Sequence, residues 1–333
     1  MTQSRRTVRW GVLGTARIAT KVGAAIRRAR GSELAAIASR SNEKAVSWAN
    51  EHGAARSHAS YDALLNDPNV DAIYIPLPPT LHAEWTIKTA RQGKHVLCEK
   101  PLAMNVSEAQ EMAAACREHN VQLMDGVMWA HHPRADDMLG PIQNGTLGEL
   151  RRMTSTFTLH WDEIPENDLR LQRELGGGSL LDLGWYCVHA TLWAFGELPL
   201  RVYATARYYR DVDMNFSGLM WFDHQRMASF DSGFDVAMRK WFEVAGTNAS
   251  LICDDFSRPW NEERPRFWLH DAAGKMSEHV SDCPPQEVRM IENFCEIVRS
   301  GKLNDRWPND AIATQRVCDA LDQSARRGEV VEL

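Results

Sequence analysis

The stretch VLCEKPLA, residues 96–103, decides how the first third of this chain folds. Val96, Leu97 and Cys98 form an unbroken apolar run, the pattern of a strand buried on both faces. Pro101 ends the run, because proline has no N–H to give to a ladder. Glu99 and Lys100 therefore stand together where the strand stops. Taken locally, they are either a surface ion pair of little energetic weight or a lysine presented at the carboxyl edge of a sheet, where open α/β folds bind ligands.

Working outward from this strand, the first ~125 residues alternate strand and helix. The strand-like runs are VRWGVLG (8–14), ELAAIASR (33–40), DAIYIPLP (71–78), HVLCEK (95–100) and VQLMDGV (121–127). Helical patterns follow the first through about Arg28, the second over NEKAVSWANEHG and the third over LHAEWTIKTARQG. After the fourth, Ser107 and Gln110 make a capping-box pattern for a helix that ends near His119. Apolar strands alternating with helices predict a parallel sheet covered on both faces. After about residue 150 the pattern changes. MTSTFTLHW (153–161), RVYATARYY (201–209), FSGLMWF (216–222), RMASFDSGF (226–234), KWFEVAG (240–246) and RFWLH (266–270) read as strands, several of them alternating and joined by short turns such as DHQR. A helix over 178–196 could cover one face of that sheet, and helical patterns at 286–300 and 309–327 close the chain. The expected fold class is α/β: a dinucleotide-binding domain over residues 1–125, then an α+β domain over 126–333 with an open, mostly antiparallel sheet. The last helices are free to pack back toward the first domain.

Bulk properties narrow the function. At 333 residues the chain is long for one core, so two domains are expected. Hydrophobic residues at 44% and charged residues at 25% are ordinary for a globular protein. The net charge of −6 gives no electrostatic reason for nucleic acid or an anionic membrane as partner. Seven cysteines without C-x-x-C pairs or His/Cys ligand spacing predict buried thiols, with neither a disulfide framework nor a metal site. MTQSRRT runs straight into a strand, and no apolar run approaches a membrane span. A cytoplasmic protein is expected.

GVLGTARIA (11–19) links the first strand to the first helix, the context in which G-x-G-x-x-G binds a dinucleotide. Gly14 keeps that spacing, while Ala16 and Ala19 take the other two places. Ala16 needs a negative φ, or its methyl group pushes the pyrophosphate back. The pyrophosphate loop is then Gly14, Thr15, Ala16, Arg17 and Ile18. The second strand ends in ASRSNEK, where an NAD site usually carries Asp or Glu for the ribose diol. Ser39, Arg40, Ser41 and Lys44 suit a phosphate instead, so NADP is expected in preference to NAD.

GVLGTARIA, YIPLP…LH, GKHVLCEKPLA, MDGVMWAHHP, GGGSLLDLGWYCVH and VAGTNASL, in this order, resemble the Gfo/Idh/MocA oxidoreductase family over nearly the whole chain. The resemblance implies a Rossmann domain followed by an α+β domain. It places the catalytic lysine on Lys100, with Glu99 before it. It sets the motif D-x-G-x-H on Asp182–Tyr186, with tyrosine in the last place. That tyrosine is similar to the acid/base of the glucose–fructose oxidoreductase, dihydrodiol dehydrogenase and xylose dehydrogenase branch. Pro78, His82, Glu99 and Lys100 match positions at the cofactor. Arg170, Asp182, Tyr186, His189 and Lys100 are the implied substrate contacts. The sequence departs from the pattern at Leu77-Pro78-Pro79, at Asp125-Gly126 and at Ala130, positions that belong to the nicotinamide pocket.

Asp182 and Tyr186 are four apart in a helical pattern and share a face. A phenol with a pKa of about 10 is a poor base at neutral pH, and a neighbouring ammonium lowers it. This gives Lys100 a physical use. Core packing for Tyr186, a capping role for Asp182 and a buried structural role for His189 remain open on the pattern alone. Trp161 and Trp260 are candidates to stack on a sugar ring. The expected function is NADP-dependent interconversion of a sugar or polyol hydroxyl and its carbonyl. The alternatives are a non-catalytic NADP-bound sensor or scaffold and a reductase of non-sugar carbonyls or dihydrodiols. An apolar second face on the C-terminal sheet predicts a homodimer or homotetramer through that sheet.

Overall fold

The computed structural model describes residues 7–282 and 284–333; the N-terminal MTQSRR and Cys283 lie outside the described residues. The chain divides into two compact units, one formed by residues 7–131 with Pro284–Ala311, the other by residues 132–282 with Ile312–Leu333.

The first unit is built on a parallel sheet of β1 (Val8–Leu13), β2 (Ser32–Ala38), β3 (Arg56–His58), β4 (Ala72–Ile75), β5 (His95–Cys98) and β6 (Leu123–Asp125), in the order β3-β2-β1-β4-β5-β6. Every pairing is parallel. The connecting helices are α1 (Arg17–Arg28), α2 (Asn42–His52), α3 (Tyr61–Leu65), α4 (His82–Arg91) and α5 (Val106–Glu118). The apolar runs read as strands in the sequence are buried throughout in β4 and nearly so in β1 and β5. They are shorter than expected because their polar ends leave the ladder. β3 was not foreseen: its three residues, Arg-Ser-His, carry no apolar signal. The cap of the fifth helix is Asn105, two residues before the expected Ser107. Asn105 accepts from the Glu108 N–H at 3.0 Å, and Glu108 Oε2 accepts from the Met104 N–H at 3.2 Å. Asparagine caps as well as serine, and the acid three residues on reaches back to the N–H just before the cap.

The second unit opens with α6 (Pro133–Gln143). Its sheet contains β7 (Leu150–His160), β8 (Arg201–Tyr209), β9 (Val212–Trp221), β10 (Met227–Gly233), β11 (Asp235–Gly246), β12 (Ala249–Cys253), β13 (Arg266–Asp271), β14 (Met276–Val280) and β15 (Val331–Glu332). Their order is β14-β13-β12-β11-β7-β10-β9-β8-β15. β10 and β7 pair in parallel and the other neighbours are antiparallel. β12 was missed because it follows β11 through a two-residue turn, and β14 because all five of its residues are exposed. The helix expected over 178–196 is two elements. Leu180–Gly184 is a π turn, and α7 (Trp185–Phe195) continues from it. Both pack on the sheet, where a Gly184 Cβ would stand 3.2 Å from the Phe230 ring. α8 (Gln286–Ser300) packs on α1 in the first unit, with Phe294 and Trp10 ring centroids 4.8 Å apart. α9 (Arg306–Arg327) begins in the first unit and ends in the second.

The other face of the second sheet is mixed. The register aligns Tyr203, Leu219, Ser229, Thr154, Glu243, Ile252 and Trp268 in one row across it, all of them half-buried. Trp221 and Met227 continue that surface in the next row.

His132 caps α6 through Nδ1, which accepts from the Arg134 N–H at 3.0 Å. The ring must be neutral to accept. Burial and the Arg134 charge, opposed by Asp137 and Asp255, lower its pKa to about 4. An unfolded histidine titrates near 6.5. Between these values the unfolded chain holds the extra proton, so stability is full above about pH 6.5 and falls as pH drops toward 4. His132→Asn keeps a capping acceptor that does not titrate. Denaturant unfolding from pH 7.5 to pH 4.5 should show the natural protein losing up to about 3 kcal/mol relative to the variant. Parallel curves for the two would contradict this role.

Candidate active site

In the first unit the chain reverses between β1 and β4, so the loops after these strands flank the point where doubly wound sheets bind ligands. Gly14 follows β1 with φ of +93°, and its N–H donates to the Ala38 carbonyl at 2.7 Å. A Cβ at this position would stand 3.1 Å from Leu77 Cδ2 in the loop after β4. A side chain here would therefore be both strained and crowded. Ala16, at φ −59°, has the negative φ required of it and is the N-cap of α1. No side chain caps α1 and its first turn holds no acid. Gly14, Thr15, Ala16, Arg17 and Ile18 thus fit a dinucleotide pyrophosphate at a positive helix end.

At the end of β2, Ser39 is buried and Arg40 and Lys44 are exposed. Part of this cluster serves the turn itself. Ser39 Oγ accepts from the Ser41 N–H, and Ser41 Oγ caps α2 through the Lys44 N–H at 3.3 Å. Burial raises the Tyr61 phenol pKa, and the charge of the nearby Arg40 opposes that rise. The same hydroxyl lies 3.3 Å from where a Gly14 Cβ would be. Tyr61 thus stands beside the glycine loop and within the influence of Arg40. This cluster could hold a phosphate at the adenosine end of a dinucleotide.

The strand that opened the sequence reading ends as that reading required. Cys98 is buried, and Lys100 is half-buried beyond it. Glu99 turns inward. Its Oε1 accepts from the Tyr74 hydroxyl at 2.5 Å and its Oε2 from the Lys100 N–H at 3.3 Å. Burial raises its pKa, against Tyr74 and Lys100. Gly126 explains one departure from the family pattern: a Cβ there would stand 3.0 Å from each Glu99 carboxyl atom. The preceding Asp125 is buried, and its pKa is pushed up to about 8 by burial, then by Asp310 and Glu99. It is therefore a neutral acid near pH 7. His82, expected at the cofactor, is fully buried. Its ring nitrogens lie 2.9 Å from the Pro101 carbonyl and 2.7 Å from that of Leu77. Burial, with Lys100 adding to it, keeps the ring below its usual pKa, and a neutral ring donates to only one of the two. Glu99 and His82 thus hold the loops bearing Lys100 and Pro78.

In the second unit, Asp182 lies in the π turn and Tyr186 in the first turn of α7. Trp185, Cys187 and Val188 are fully buried, whereas Tyr186 is half-exposed, its ring edge-on to Phe157 with centroids 5.4 Å apart. Tyr186 is thus no core aromatic. Arg170 Nε donates to Asp182 Oδ2 at 2.6 Å, and its Nη1 reaches Asp168 at 3.3 Å. The Arg170 guanidinium lies 4.7 Å above the Trp161 ring, which stacks on Phe234. Burial disfavours its charge, but Asp182 and Asp168 raise its pKa overall. Arg170, Asp182 and Trp161 therefore form one charged aromatic platform. His189 is buried one turn beyond Tyr186. Trp260 is 55% exposed in a different cluster, with the Lys240 ammonium 3.6 Å from its ring centroid.

The family pattern described as "Oxidoreductase family, NAD-binding Rossmann fold" matches residues 8–127, and that of the "GFO/IDH/MocA C-terminal domain" matches residues 141–252. The chain belongs to the Gfo/Idh/MocA family. It is an oxidoreductase. It is 34% identical to D-xylose 1-dehydrogenase (NADP(+)) 2 of Haloferax volcanii over 97% of this chain and 99% of the relative. Among solved structures it superposes with a TM-score of 0.89 on a 3-ketoreductase from Actinomadura kijaniata in complex with NADP and TDP-benzene, at 30% identity over 96% of this chain and 98% of that one. It superposes with a TM-score of 0.90 on an aldose-aldose oxidoreductase from Caulobacter crescentus, at 26% identity over 98% and 100% of the two chains. Among the described residues no group of His, Cys, Asp and Glu could hold a metal ion, and no helix is long and apolar enough to cross a membrane. The six described cysteines are buried and unbonded.

Sequence reasoning missed Tyr74, Tyr61 and Asp168. The signal for Tyr74 was present: one hydroxyl in the aliphatic strand AIYI must find a partner. Tyr74→Phe leaves the buried Glu99 without that donor. Loss of about 1–3 kcal/mol in denaturant unfolding is expected. An unchanged midpoint would show that the 2.5 Å bond carries no stability.

Proposed function

We propose that this oxidoreductase uses NADP to interconvert a sugar or polyol hydroxyl and its carbonyl, in a domain arrangement that assigns cofactor to residues 1–125 and substrate to residues 126–333. The observation that carries the reading is the half-buried Tyr186 four residues after Asp182, which Arg170 holds at 2.6 Å. The sugar-directed names of the xylose dehydrogenase and aldose-aldose oxidoreductase relatives support it.

The nicotinamide, when bound, supplies the hydride chemistry. The residues of the chain do the rest. Gly14–Ile18 receive the pyrophosphate, and Arg40 with Lys44 receives the 2′-phosphate. Asp182, held by Arg170, accepts a substrate hydroxyl. Tyr186 Oη takes the proton from the reacting hydroxyl, or returns it to the carbonyl oxygen. Lys100, its backbone held by Glu99, supplies the positive charge that favours the phenolate. His189 lies on the same helix for a further substrate contact. The open face of the second sheet, with Tyr203, Leu219, Trp221, Met227 and Trp268, is read as the surface joining copies of the chain into a homodimer or homotetramer. Cytoplasmic location is part of the same reading.

Three measurements test it. In cofactor titrations, NADP should bind more tightly than NAD, and Arg40→Ala should remove about tenfold or more of that preference, an amount typical of a charge-assisted phosphate contact. Tyr186→Phe, assayed at the reduced-nicotinamide absorbance band on a panel of aldoses and polyols, should lower turnover about 10²–10⁴-fold with NADP affinity nearly unchanged. Lys100→Met should cost at least as much, and the double variant little more than the poorer single one. Near-normal turnover by folded Tyr186→Phe would remove that residue from the reaction. Sedimentation at micromolar concentration should show dimers or tetramers, and Trp221→Glu should yield monomers; a monomeric natural protein would refute the sheet interface.

A further inference from the structure

Asp213 lies at the start of β9 and belongs to none of the motifs that mark the family. Its side chain is almost wholly buried, with the residue 6% exposed. Oδ2 accepts two hydrogen bonds from the segment that leads into the π turn, from Ser179 Oγ at 2.8 Å and from the Leu180 N–H at 2.7 Å. Ser179 Oγ also meets Ser232 Oγ of β10 at 3.2 Å. The other oxygen presses on the glycine run. Gly178 has φ of +110°, and a Cβ there would stand 2.1 Å from Asp213 Oδ1. The last glycine of GGG is thus needed twice, for its backbone conformation and for the carboxyl that passes over it.

This segment has no cap of its own. Neither the residue before the π turn nor the one before α7 makes a side-chain capping bond. An α-helix starting at an uncapped turn frays. A π turn is rarer still and persists where its surroundings hold it. Asp182 sits in the middle of that turn, and Tyr186 follows two residues after it. We propose that Asp213 is a positioning residue: its carboxyl clamps Ser179 and Leu180, and so fixes the turn that presents Asp182 and Tyr186. The proposal rests on the reading of those two residues as the pair that meets the substrate. Burial raises the Asp213 pKa to about 6, against Ser179 and Leu180, with Asp322 adding to the rise. Asp322 on α9 is in turn paired with Arg173 at 3.5 Å and with Arg326 at 3.0 Å.

Amide hydrogen exchange and kinetics on the full-length protein test this together. Asp213→Asn keeps the shape and gives up one acceptor position. It should speed exchange at residues 179–184 about tenfold or more, while β8 and β10 keep their protection. Turnover should fall about 10²-fold through misplacement of Tyr186, with NADP affinity within about twofold. Ser179→Ala removes only the hydroxyl and should give the same local pattern at smaller size; it carries the test if the Asp213 variant does not fold. Unchanged exchange at 179–184 in both variants overturns the clamp. So does a uniform rise across the sheet, which would mark general destabilisation. The exchange arm needs no substrate. If the natural protein turns over no sugar, or Tyr186→Phe keeps its activity, the functional reading fails while exchange still decides the role of Asp213.

Discussion

The first unit depends on one constraint: every strand of its sheet runs the same way. Buried parallel strands with helical crossovers must all release their chain at one edge. Gly14, Ser39, Leu77 and Glu99 follow the ends of β1, β2, β4 and β5, and Asp125 closes β6, so all of them line that edge. None of them needs a long-range signal to find the others. The strand order alone makes neighbours of the glycine loop and the loop after β4, and Leu77 packs within reach of Gly14 as a result.

A second theme is the use of carboxyl groups out of water. Glu99, Asp125 and Asp213 are each almost entirely buried, and burial raises the pKa of each. A buried charge is costly unless donors meet it. Glu99 is met by Tyr74 and the Lys100 N–H, and Asp213 by Ser179 and the Leu180 N–H. Both therefore bind backbone next to a residue assigned to the chemistry. Asp125 is handled differently: with its pKa near 8 it holds a proton at pH 7. Two glycines, Gly126 and Gly178, leave the room that two of these carboxyls occupy. Sites built in this way are held by groups whose geometry is fixed by the loss of alternative partners, since solvent cannot substitute.

Much of this was legible from one sequence, for local reasons. Period-two and period-3.6 patterns reveal strands and helices wherever one face is buried, which covers RVYATARYY and 286–300 to the residue. They fail where burial is absent or brief, as in β14 and β3. The capping box was misplaced because Ser107 and Gln110 fit the pattern as well as Asn105 and Glu108 do; the choice depends on where the preceding loop delivers the chain.

The sequence by itself determined the doubly wound class, the glycine loop and the basic end of β2. These are properties of neighbouring residues and of a fixed rise per residue. The tertiary structure alone decided what the buried polar groups do. It bonded His82 and Glu99 to neighbouring parts of the first unit, joined Arg170 to Asp182, and brought Asp213 from β9 to the turn before Tyr186. The His82–Pro101, Tyr74–Glu99, Arg170–Asp182 and Leu180–Asp213 bonds join residues from 12 to 33 positions apart, and a hydrogen bond in a desolvated interior is set by which groups the fold brings within about 3 Å, a distance that no local pattern encodes.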